Sequence, residues 1–284
     1  MNNTYNREVS VIIPTRNRLS FLPNAVYSAV SQQGVIVDVI IVDDSDVSQV
    51  HQIKDLFASC SNVKVVRNED HGPSQARNLG VKCSLSEFVT FLDDDDIYLP
   101  GRLNSLVTTL VSRTECIFVS SGRLIAKNNY GTWDTENNRI FGEVNVNDIK
   151  YINDVDIGLL IRRQDFEKLG GFSEKFNGYE DWEFVIRCLL LKPAYKIKRY
   201  DYIVNDCSVD RVSAHQNENL ALIADEYREI FGEDWYRLIN FRGLCESNNA
   251  SLYTASYLSF STCSTKPLFY FFSKLKRELK KTTG

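Results

Sequence analysis

No stretch of this 284-residue sequence is apolar enough, over a long enough run, to cross a membrane. A spanning helix needs about 20 consecutive apolar residues, and every apolar run here is much shorter. The first fourteen residues, MNNTYNREVSVIIP, also lack the charged and then apolar layout of a signal peptide. We therefore expect a protein that is not integral to a membrane.

Paired cysteines are also missing. The seven cysteines are an odd number, are scattered along the chain and include no C-x-x-C pair. The sequence therefore indicates neither a disulfide framework nor a zinc site. A reducing, cytoplasmic location fits this pattern best.

An excess of basic residues is absent as well. The formal net charge is −4 and the pI is about 5.5, which argues against nucleic acid as the main partner. With 43% hydrophobic and 25% charged residues, the chain has the composition of a globular protein. Its length suits one large or two small domains with a real core.

Short runs rich in valine and isoleucine alternate with segments of helical spacing over the first 92 residues. The predicted strands are residues 9–14, 37–42, 63–66 and 88–92, and the predicted helices are residues 21–32, 49–59 and 74–82. This order predicts right-handed βαβ crossovers and a parallel sheet covered by helices on both faces. The G-x-G-x-x-G and P-loop sequences are both absent, which argues against a standard NAD or ATP site.

Polar residues follow each predicted strand, at the sheet edge where ligands bind in this architecture. They are Thr15, Arg16 and Asn17 after the first strand, Asp43 and Asp44 after the second, residues 71–73 beyond the third and residues 93–96 after the fourth. Four strand ends therefore contribute to one predicted site.

Four consecutive aspartates, residues 93–96, close the apolar run FVTFL. At an effective dielectric of about 20, two carboxylates roughly 5 Å apart repel by about 3 kcal/mol, so water or a cation must compensate the cluster. Oxygen ligands favour Mg²⁺ or Mn²⁺ over zinc. The simpler alternative is a solvated acidic turn before a helix that Pro100 opens, with one aspartate as the N-cap.

The regular alternation weakens after residue 96. Residues 116–126 predict a strand, residues 128–131 a turn and residues 133–154 a polar loop region of the kind that often carries binding specificity. An amphipathic helix follows Gly178, with Glu180 and Asp181 in its first turn. Acids there oppose the helix dipole, so the residues alone favour a stabilising role for this acidic turn.

Five blocks of sequence occur in order and at suitable spacing. They are VSVIIPTRNR (9–18), VIIVDDSD (39–46), GPSQARNLG (72–80), FLDDDDIYLPGRL (91–103) and LGGFSEKFNGYEDWEF (169–184). Together they resemble glycosyltransferase family 2, the inverting enzymes of GT-A fold that include builders of bacterial O-antigen and capsule repeats. The resemblance covers about residues 7–215. It implies an α/β protein with a Rossmann-like, mostly parallel central sheet, helices on both faces and a C-terminal helical extension.

By this resemblance, the nucleotide contacts come from the ends of the strands. Pro14 and Asp44 would line the nucleoside pocket, with Asp44 accepting from the uracil imide, and Arg77 would hold the base or the pyrophosphate. The implied nucleotide-binding set is Pro14, Thr15, Arg16, Asn17, Asp43, Asp44, Arg77, Asp93 and Asp94.

The resemblance also implies the metal ligands and the base. Asp93 and Asp95 match the D-x-D motif, whose second aspartate ligates Mn²⁺ or Mg²⁺. His215 lies where a histidine sometimes completes the metal site, but its context departs from the common R-x-H form, and a surface or core role stays open. Asp181 matches the general base of the E-D motif, and Glu180 is its neighbour in the acceptor pocket.

The implied reaction is a single metal-dependent displacement that inverts the anomeric centre. A hexose would pass from a UDP-sugar, with UDP-glucose or UDP-galactose favoured, to a polyprenyl-diphosphate-linked sugar acceptor, giving a β-linkage. Residues 1–96 would bind the nucleotide sugar and residues 97–215 the acceptor, with residues 216–284 helical. No Q-x-x-R-W motif is present, so we expect one sugar to be added per visit.

Two alternatives stay open. A nucleotidyltransferase that makes nucleotide sugars would want a glycine-rich basic loop after the first strand, and residues 15–18 contain no glycine. The second alternative is a non-catalytic sugar-nucleotide-binding protein, although the D-x-D and E-D matches argue against it.

The C-terminal segment, residues 266–281, places Leu268, Phe272, Leu275 and Leu279 on one helical stripe amid six basic residues and one acid. Such a stripe can lie on an anionic membrane surface, which would make the protein peripheral on the cytoplasmic face of the inner membrane. The alternative is an ordinary helix packed on the domain, with a solvated basic face. The sequence indicates no oligomeric state.

Overall fold

The computed structural model describes residues 7–127, 132–135, 138–176, 178–205, 216–247 and 249–282. The chain forms two compact units. The first unit comprises Met1–Glu174 and Glu180–Asp210, and the second comprises Lys175–Tyr179 and Arg211–Gly284. The functional division of the chain at residues 96 and 215 stays a prediction.

The first unit opens with the predicted alternation of strands and helices. In order, these are β1 (Glu8–Thr15), α1 (Leu22–Val30), β2 (Ile36–Asp43), α2 (Val50–Leu56), β3 (Val63–Arg67), α3 (Pro73–Lys82) and β4 (Phe88–Phe91). Side chains branched at Cβ favour extended backbone and pack well in a sheet, and β1 is buried along most of its length. Each predicted strand and helix of this stretch is confirmed, with ends shifted by a few residues at most.

The rest of the first unit is less regular. It contains β5 (Ile97–Tyr98), α4 (Arg102–Ser112), β6 (Phe118–Lys127), β7 (Thr132–Asp134), β8 (Gly142–Val144), α5 (Val146–Ile149), β9 (Leu160–Arg162), α6 (Arg163–Lys168), α7 (Glu180–Leu191) and β10 (Ala194–Asn205). The residue before α4 is Gly101, in the left-handed region with φ of 78°, and no side chain caps this helix. The alternative in which an aspartate of the cluster caps a helix opened by Pro100 is therefore wrong. The predicted turn at 128–131 lies outside the described residues.

Strands of the first unit join in one sheet, in the order β3-β2-β1-β4-β9-β6-β10-β5, with β7 paired to β6 and β8 paired to β10. Parallel pairs join β1 to β2 and β4, β2 to β3, and β6 to β10, whereas β9 runs antiparallel to both β4 and β6. The longer strands β1, β2, β3, β4, β6 and β10 therefore all point in one direction. Right-handed crossovers through α1 and α2 lead toward β3, whereas the crossover through α3 returns to β4. Helix α3 therefore covers the face of the sheet opposite to α1 and α2. The predicted mostly parallel sheet is confirmed.

The strand register brings the carboxyl ends of β1, β2 and β4 together. Thr15 lies opposite Asp43, and the Asp44 N–H donates to the Thr15 carbonyl at 2.8 Å. On the other side, the Leu92 N–H donates to the Ile12 carbonyl at 3.0 Å. The residues that follow these strands therefore emerge side by side at one edge of the sheet.

Helix α3 approaches β1 closely through Gly80. A Cβ built on Gly80 would lie 2.2 Å from Ile12 Cγ2 and 3.2 Å from Val42 Cγ2, and both side chains are fully buried. In a close-packed core neither can move aside freely, so we expect Gly80→Ala to lower the free energy of unfolding by about 1–3 kcal/mol. Urea denaturation measures this change. A raised midpoint, as helix propensity alone would give, would contradict the close approach.

The second unit is helical in its described part. It contains α8 (Gln216–Phe231), α9 (Glu233–Glu246), α10 (Leu252–Ser261) and α11 (Lys266–Thr282). A small core made of Phe241, Cys245, Ala255 and Tyr270 joins α9, α10 and α11. These helices are the predicted C-terminal extension. Within the described ranges, no helix is both long and apolar enough to cross a membrane.

Helix α11 packs on this core with one side only. Tyr270 is buried in the core and Leu268 packs against it, whereas Phe272, Leu275 and Leu279 are exposed. The predicted apolar stripe is therefore wrong at Leu268, and Phe269 is the residue exposed in its place. The helix packs on the unit and also presents an apolar face, and its contact with a membrane stays a prediction.

Candidate active site

The residues at the end of β1 and in the loop after it point in two directions, some toward the aspartate cluster and some toward the surface. Pro14 is half-buried, and the Thr15 hydroxyl donates to Asp94 Oδ2 at 2.7 Å. Arg16 and Asn17 are exposed, and both donate to Asp46, at 2.7 and 2.8 Å. Thr15 thus reaches the aspartate cluster, while the side chains of Arg16 and Asn17 turn toward an aspartate outside it.

The two aspartates that end β2 hold the backbone around them. Asp43 is fully buried and accepts from the Gln49 N–H at 2.7 Å and from the Ser45 N–H at 3.1 Å, next to the start of α2. Asp44 accepts from Asn68 Nδ2 at 2.6 Å and from the Gly72 N–H at 3.1 Å. A carboxylate has about four lone-pair positions, so Asp44 retains capacity for a further donor.

Each aspartate of residues 93–96 has its own protein partner. Asp93 Oδ1 accepts from Arg77 Nη2 at 2.7 Å. Arg18 pairs with Asp95 and lies 3.3 Å from Asp94 Oδ1. Asp96 turns inward and accepts from the Tyr202 hydroxyl at 2.7 Å and from the Asn205 N–H at 2.9 Å. Two arginines therefore supply much of the compensating charge that the cluster requires.

Burial changes the pKa of Asp94 and of Asp96. It raises the pKa of Asp94 to about 7, although Arg18 and the Thr15 hydroxyl act in the opposite direction. Burial also raises the pKa of Asp96 well above its usual range. Asp96 was not among the predicted site residues, and its contacts join the aspartate cluster to the end of β10.

Arg18 is a site residue that the sequence analysis missed. Its guanidinium lies between Asp94 and Asp95, and its cation rests over the Phe21 ring, 5.1 Å from the centroid. The signal was present, because Arg18 is a cation on a strand-end loop that faces a strongly acidic one. Opposite charges on adjacent strand ends of a parallel sheet are expected to pair.

Arg77 joins the aspartate cluster to the first turn of α7. Its Nη2 donates to Asp93 Oδ1 and its Nη1 donates to Glu180 Oε1, both at 2.7 Å. The guanidinium is buried and lies over the Phe172 ring at 5.8 Å. Burial alone would lower the pKa of Arg77, but Asp93 and Glu180 raise it overall, so the group stays charged. The predicted metal ligand and the predicted acceptor residue thus share one cation.

Asp181, in the first turn of α7, accepts two hydrogen bonds and has a raised pKa. Its Oδ2 accepts from Asn153 Nδ2 at 3.0 Å and its Oδ1 accepts from the Trp182 N–H at 2.7 Å. Burial, and then the neighbouring charge of Glu180, raise the pKa of Asp181 to about 6. A carboxyl tuned toward neutral pH is characteristic of acid–base sites, and helix stabilisation alone does not require it. Asn153 was not predicted individually, but it lies in the loop region expected to carry specificity.

The donor chemistry of the aspartate cluster fits a divalent cation. Asp93 and Asp95 offer carboxylate oxygens, which Mg²⁺ and Mn²⁺ prefer. In the described part of the chain, no group of three or more acidic, histidine or cysteine side chains is arranged to hold a metal ion. Mg²⁺ is often bound by one or two carboxylates together with substrate phosphates, and two aspartates match that number of ligands. His215, the third predicted ligand, lies outside the described residues.

Comparison with known proteins identifies the family. Residues 10–170 match the family model for glycosyl transferase family 2, which is more than half of the chain. The chain therefore belongs to glycosyltransferase family 2, as its sequence blocks predicted. The crystal structure of S. aureus TarS residues 1–349 in complex with UDP-GlcNAc shares its fold, with a TM-score of 0.65 and 21% identity over 86% of this chain and 73% of that one. The GT-A fold is thereby confirmed.

Two relatives show how far the sequence similarity extends. An uncharacterized glycosyltransferase of Haemophilus influenzae is 27% identical over 192 residues, which are 66% of this chain and 63% of that protein. The GalNAc(5)-diNAcBac-PP-undecaprenol beta-1,3-glucosyltransferase of Campylobacter jejuni is 34% identical over 103 residues, 35% of this chain and 33% of that protein. The chain thus spans less than two thirds of the length of either relative.

Proposed function

We propose that this chain transfers one hexose from a UDP-sugar to a hydroxyl of a saccharide acceptor, with inversion to a β-linkage and with Mn²⁺ or Mg²⁺ as cofactor. The observation that carries the proposal is the position of Arg77 between Asp93 and Glu180. It joins the carboxylates suited to a metal and a diphosphate to the turn that carries Asp181. This arrangement supports donor binding and acceptor activation within one site.

The comparisons support the choice of donor and acceptor. TarS was crystallised with UDP-GlcNAc, which favours a uridine nucleotide here, and the C. jejuni relative is a beta-1,3-glucosyltransferase. We favour UDP-glucose, with UDP-galactose next. The acceptor named for that relative is linked through PP-undecaprenol, which supports a polyprenyl-diphosphate-linked acceptor. We propose that this acceptor serves O-antigen or capsule synthesis at the cytoplasmic face of the inner membrane.

The residues of the chain have distinct tasks in this reaction. Asp181, once deprotonated, takes the proton of the acceptor hydroxyl as its oxygen attacks the anomeric carbon. The bond to the diphosphate breaks on the opposite face of the sugar, so the configuration inverts. Arg18 and Arg77 place fixed positive charge where the leaving diphosphate gains negative charge. A divalent ion held by Asp93 and Asp95 would add Lewis-acid neutralisation of that charge when bound.

Family membership argues against the nucleotidyltransferase alternative, and a measurement of turnover tests the non-catalytic one. The test is a panel of UDP-sugars incubated with Mn²⁺ and a polyprenyl-diphosphate-linked sugar, with UDP release as the readout. We expect one UDP-hexose to be turned over, and the proton coupling constant of the new anomeric centre to show a β-linkage. No turnover of any UDP-sugar, or an α-linked product, would overturn the proposal.

The pH dependence follows from the raised pKa of Asp181, which is about 6. A base acts only when deprotonated, so kcat/KM should be flat above this pH and fall about tenfold per pH unit below it. Glu180→Gln removes the like charge that helps to raise this pKa, so the acid limb should move to lower pH. The assignment of Asp181 would be contradicted if kcat/KM of the parent protein did not fall at low pH. It would also be contradicted if Glu180→Gln left the pH of that fall unchanged.

A further inference from the structure

The outer faces of α10 and α11 form an exposed apolar surface. We define it as Tyr253, Tyr257 and Phe260 of α10 together with Phe269, Phe272, Leu275 and Leu279 of α11. Phe260 is 86% exposed, Tyr253 81% and Leu279 58%. Single exposed apolar residues are ordinary, but seven large ones on two helices that share a core indicate an interaction site.

Helical geometry explains why these side chains point outward. Tyr253, Tyr257 and Phe260 follow the spacing of one helix face, while Ala255 and Leu258 lie on the opposite side of α10, in or against the core. On α11, Tyr270 enters the same core, and the exposed residues lie on the other side. Both helices thus bury one face in a shared core and present the other to the outside.

Only one of these two helices contains charged residues. Helix α10 has no charged residue, whereas α11 contains six basic residues and one acid, within a chain of formal net charge −4. Lys276 is exposed beside Leu275, within the apolar face. Aromatic side chains next to lysine and arginine are the composition of segments that lie in the headgroup region of an anionic bilayer.

We propose that α10 and α11 together bind an anionic lipid surface, with α10 inserting aromatic side chains and α11 contributing both apolar and basic ones. Tyrosine suits this role, because its ring is apolar and its hydroxyl stays in the polar headgroup layer. The inference rests on the proposed function, since it names the surface that would hold the enzyme where a polyprenyl-linked acceptor resides.

A second copy of the chain is the main competing occupant. A two-fold interface would bring the same patch of both copies together and so place the basic α11 against its own equivalent. Like charges directly opposed are destabilising, whereas an anionic leaflet attracts each basic residue. The charge of α11 therefore favours lipid over self-association.

Sedimentation of the full-length protein with vesicles tests the proposal. We expect it to pellet with vesicles that contain phosphatidylglycerol, to stay in solution with pure phosphatidylcholine vesicles, and to bind less as salt rises. Phe260→Ser on α10 and Leu279→Ser on α11 should each weaken the partition coefficient about tenfold, since each removes a large apolar group from the bilayer. Leu191→Ser is the matched control, because Leu191 is 67% exposed at the end of α7, outside this surface.

The charge contribution has its own matched pair. Lys276→Glu should weaken binding to the anionic vesicles, whereas Lys168→Glu, at an exposed position on α6, should not. An independent readout is Tyr257→Trp, whose difference fluorescence spectrum should shift to shorter wavelength when phosphatidylglycerol vesicles are added. Circular dichroism checks that every variant keeps the helical content of the parent.

Several results would overturn the proposal. One is no pelleting with phosphatidylglycerol vesicles at low salt, and another is an equal loss in Leu279→Ser and Leu191→Ser. Loss in Leu279→Ser without loss in Phe260→Ser would exclude α10, and a dimer in analytical ultracentrifugation that Phe260→Ser dissociates would assign the surface to a second copy. None of these readouts needs turnover, so failure here and failure of the proposed sugar transfer are distinguishable.

Discussion

Replacing Asp181 with asparagine should lower kcat by about 10²- to 10⁴-fold and leave the affinity for the UDP-sugar nearly unchanged. Asparagine cannot take the proton of the acceptor hydroxyl, but it has the same size, and its Oδ1 can still accept from the Trp182 N–H. The UDP-sugar binds apart from that proton, so its affinity should be preserved. Steady-state kinetics gives kcat, and isothermal titration calorimetry gives the affinity.

Asp234→Asn is the matched control for this prediction. Asp234 is an exposed acid in the first turn of α9, in the second unit, where it has the same relation to the helix dipole as Asp181 has in α7. It should keep full turnover. If Asp181→Asn instead lowers the melting temperature while each folded molecule turns over normally, then Asp181 stabilises α7 and does not act in catalysis.

Asp95→Ala should reduce metal-dependent turnover by about 10²-fold or more, because it deletes a predicted ligand of the cation that neutralises the leaving diphosphate. The fold should survive, since Arg18 keeps Asp94 as a partner at 3.3 Å and the remaining aspartates repel one another less. Titration of turnover with Mn²⁺ measures the first effect, and circular dichroism measures the second.

Asp46→Ala controls for the loss of an aspartate near a strand end. Asp46 is exposed and pairs with Arg16, away from the cluster at residues 93–96, so its removal should leave the response to Mn²⁺ as it was. Full activity of the parent protein in EDTA, or an unchanged Mn²⁺ response in Asp95→Ala, would remove the metal assignment.

The first half of the fold could be predicted because its signals are local. Valine and isoleucine runs specify β1 to β4, and the spacing of apolar residues specifies α1 to α3, so each element is encoded within its own residues. The antiparallel insertion of β9 between β4 and β6 was not predictable in this way. Only three residues form that strand, and its place depends on pairing with partners far along the chain.

The site residues could be named more readily than their contacts. Glu180 lies 103 residues from Arg77, and Asp95 lies 77 residues from Arg18, so only the folded chain shows these pairs. The separate roles of two adjacent acids are equally hard to predict from the sequence. Asp43 and Asp44 are adjacent in sequence, yet Asp43 holds the start of α2 while Asp44 holds the loop before α3, because successive side chains leave a strand end in different directions.

Under the proposed function, the bridge formed by Arg77 limits how the site could acquire a new acceptor. A change at Glu180 made to admit a different sugar would also release one arm of the guanidinium that holds Asp93, and so would alter the donor side at the same time. Asn153 contacts Asp181 from the loop region and is not tied to that guanidinium. Diversification of acceptor preference, in nature or by design, should therefore accumulate in residues 133–154 and leave the bridged pair intact.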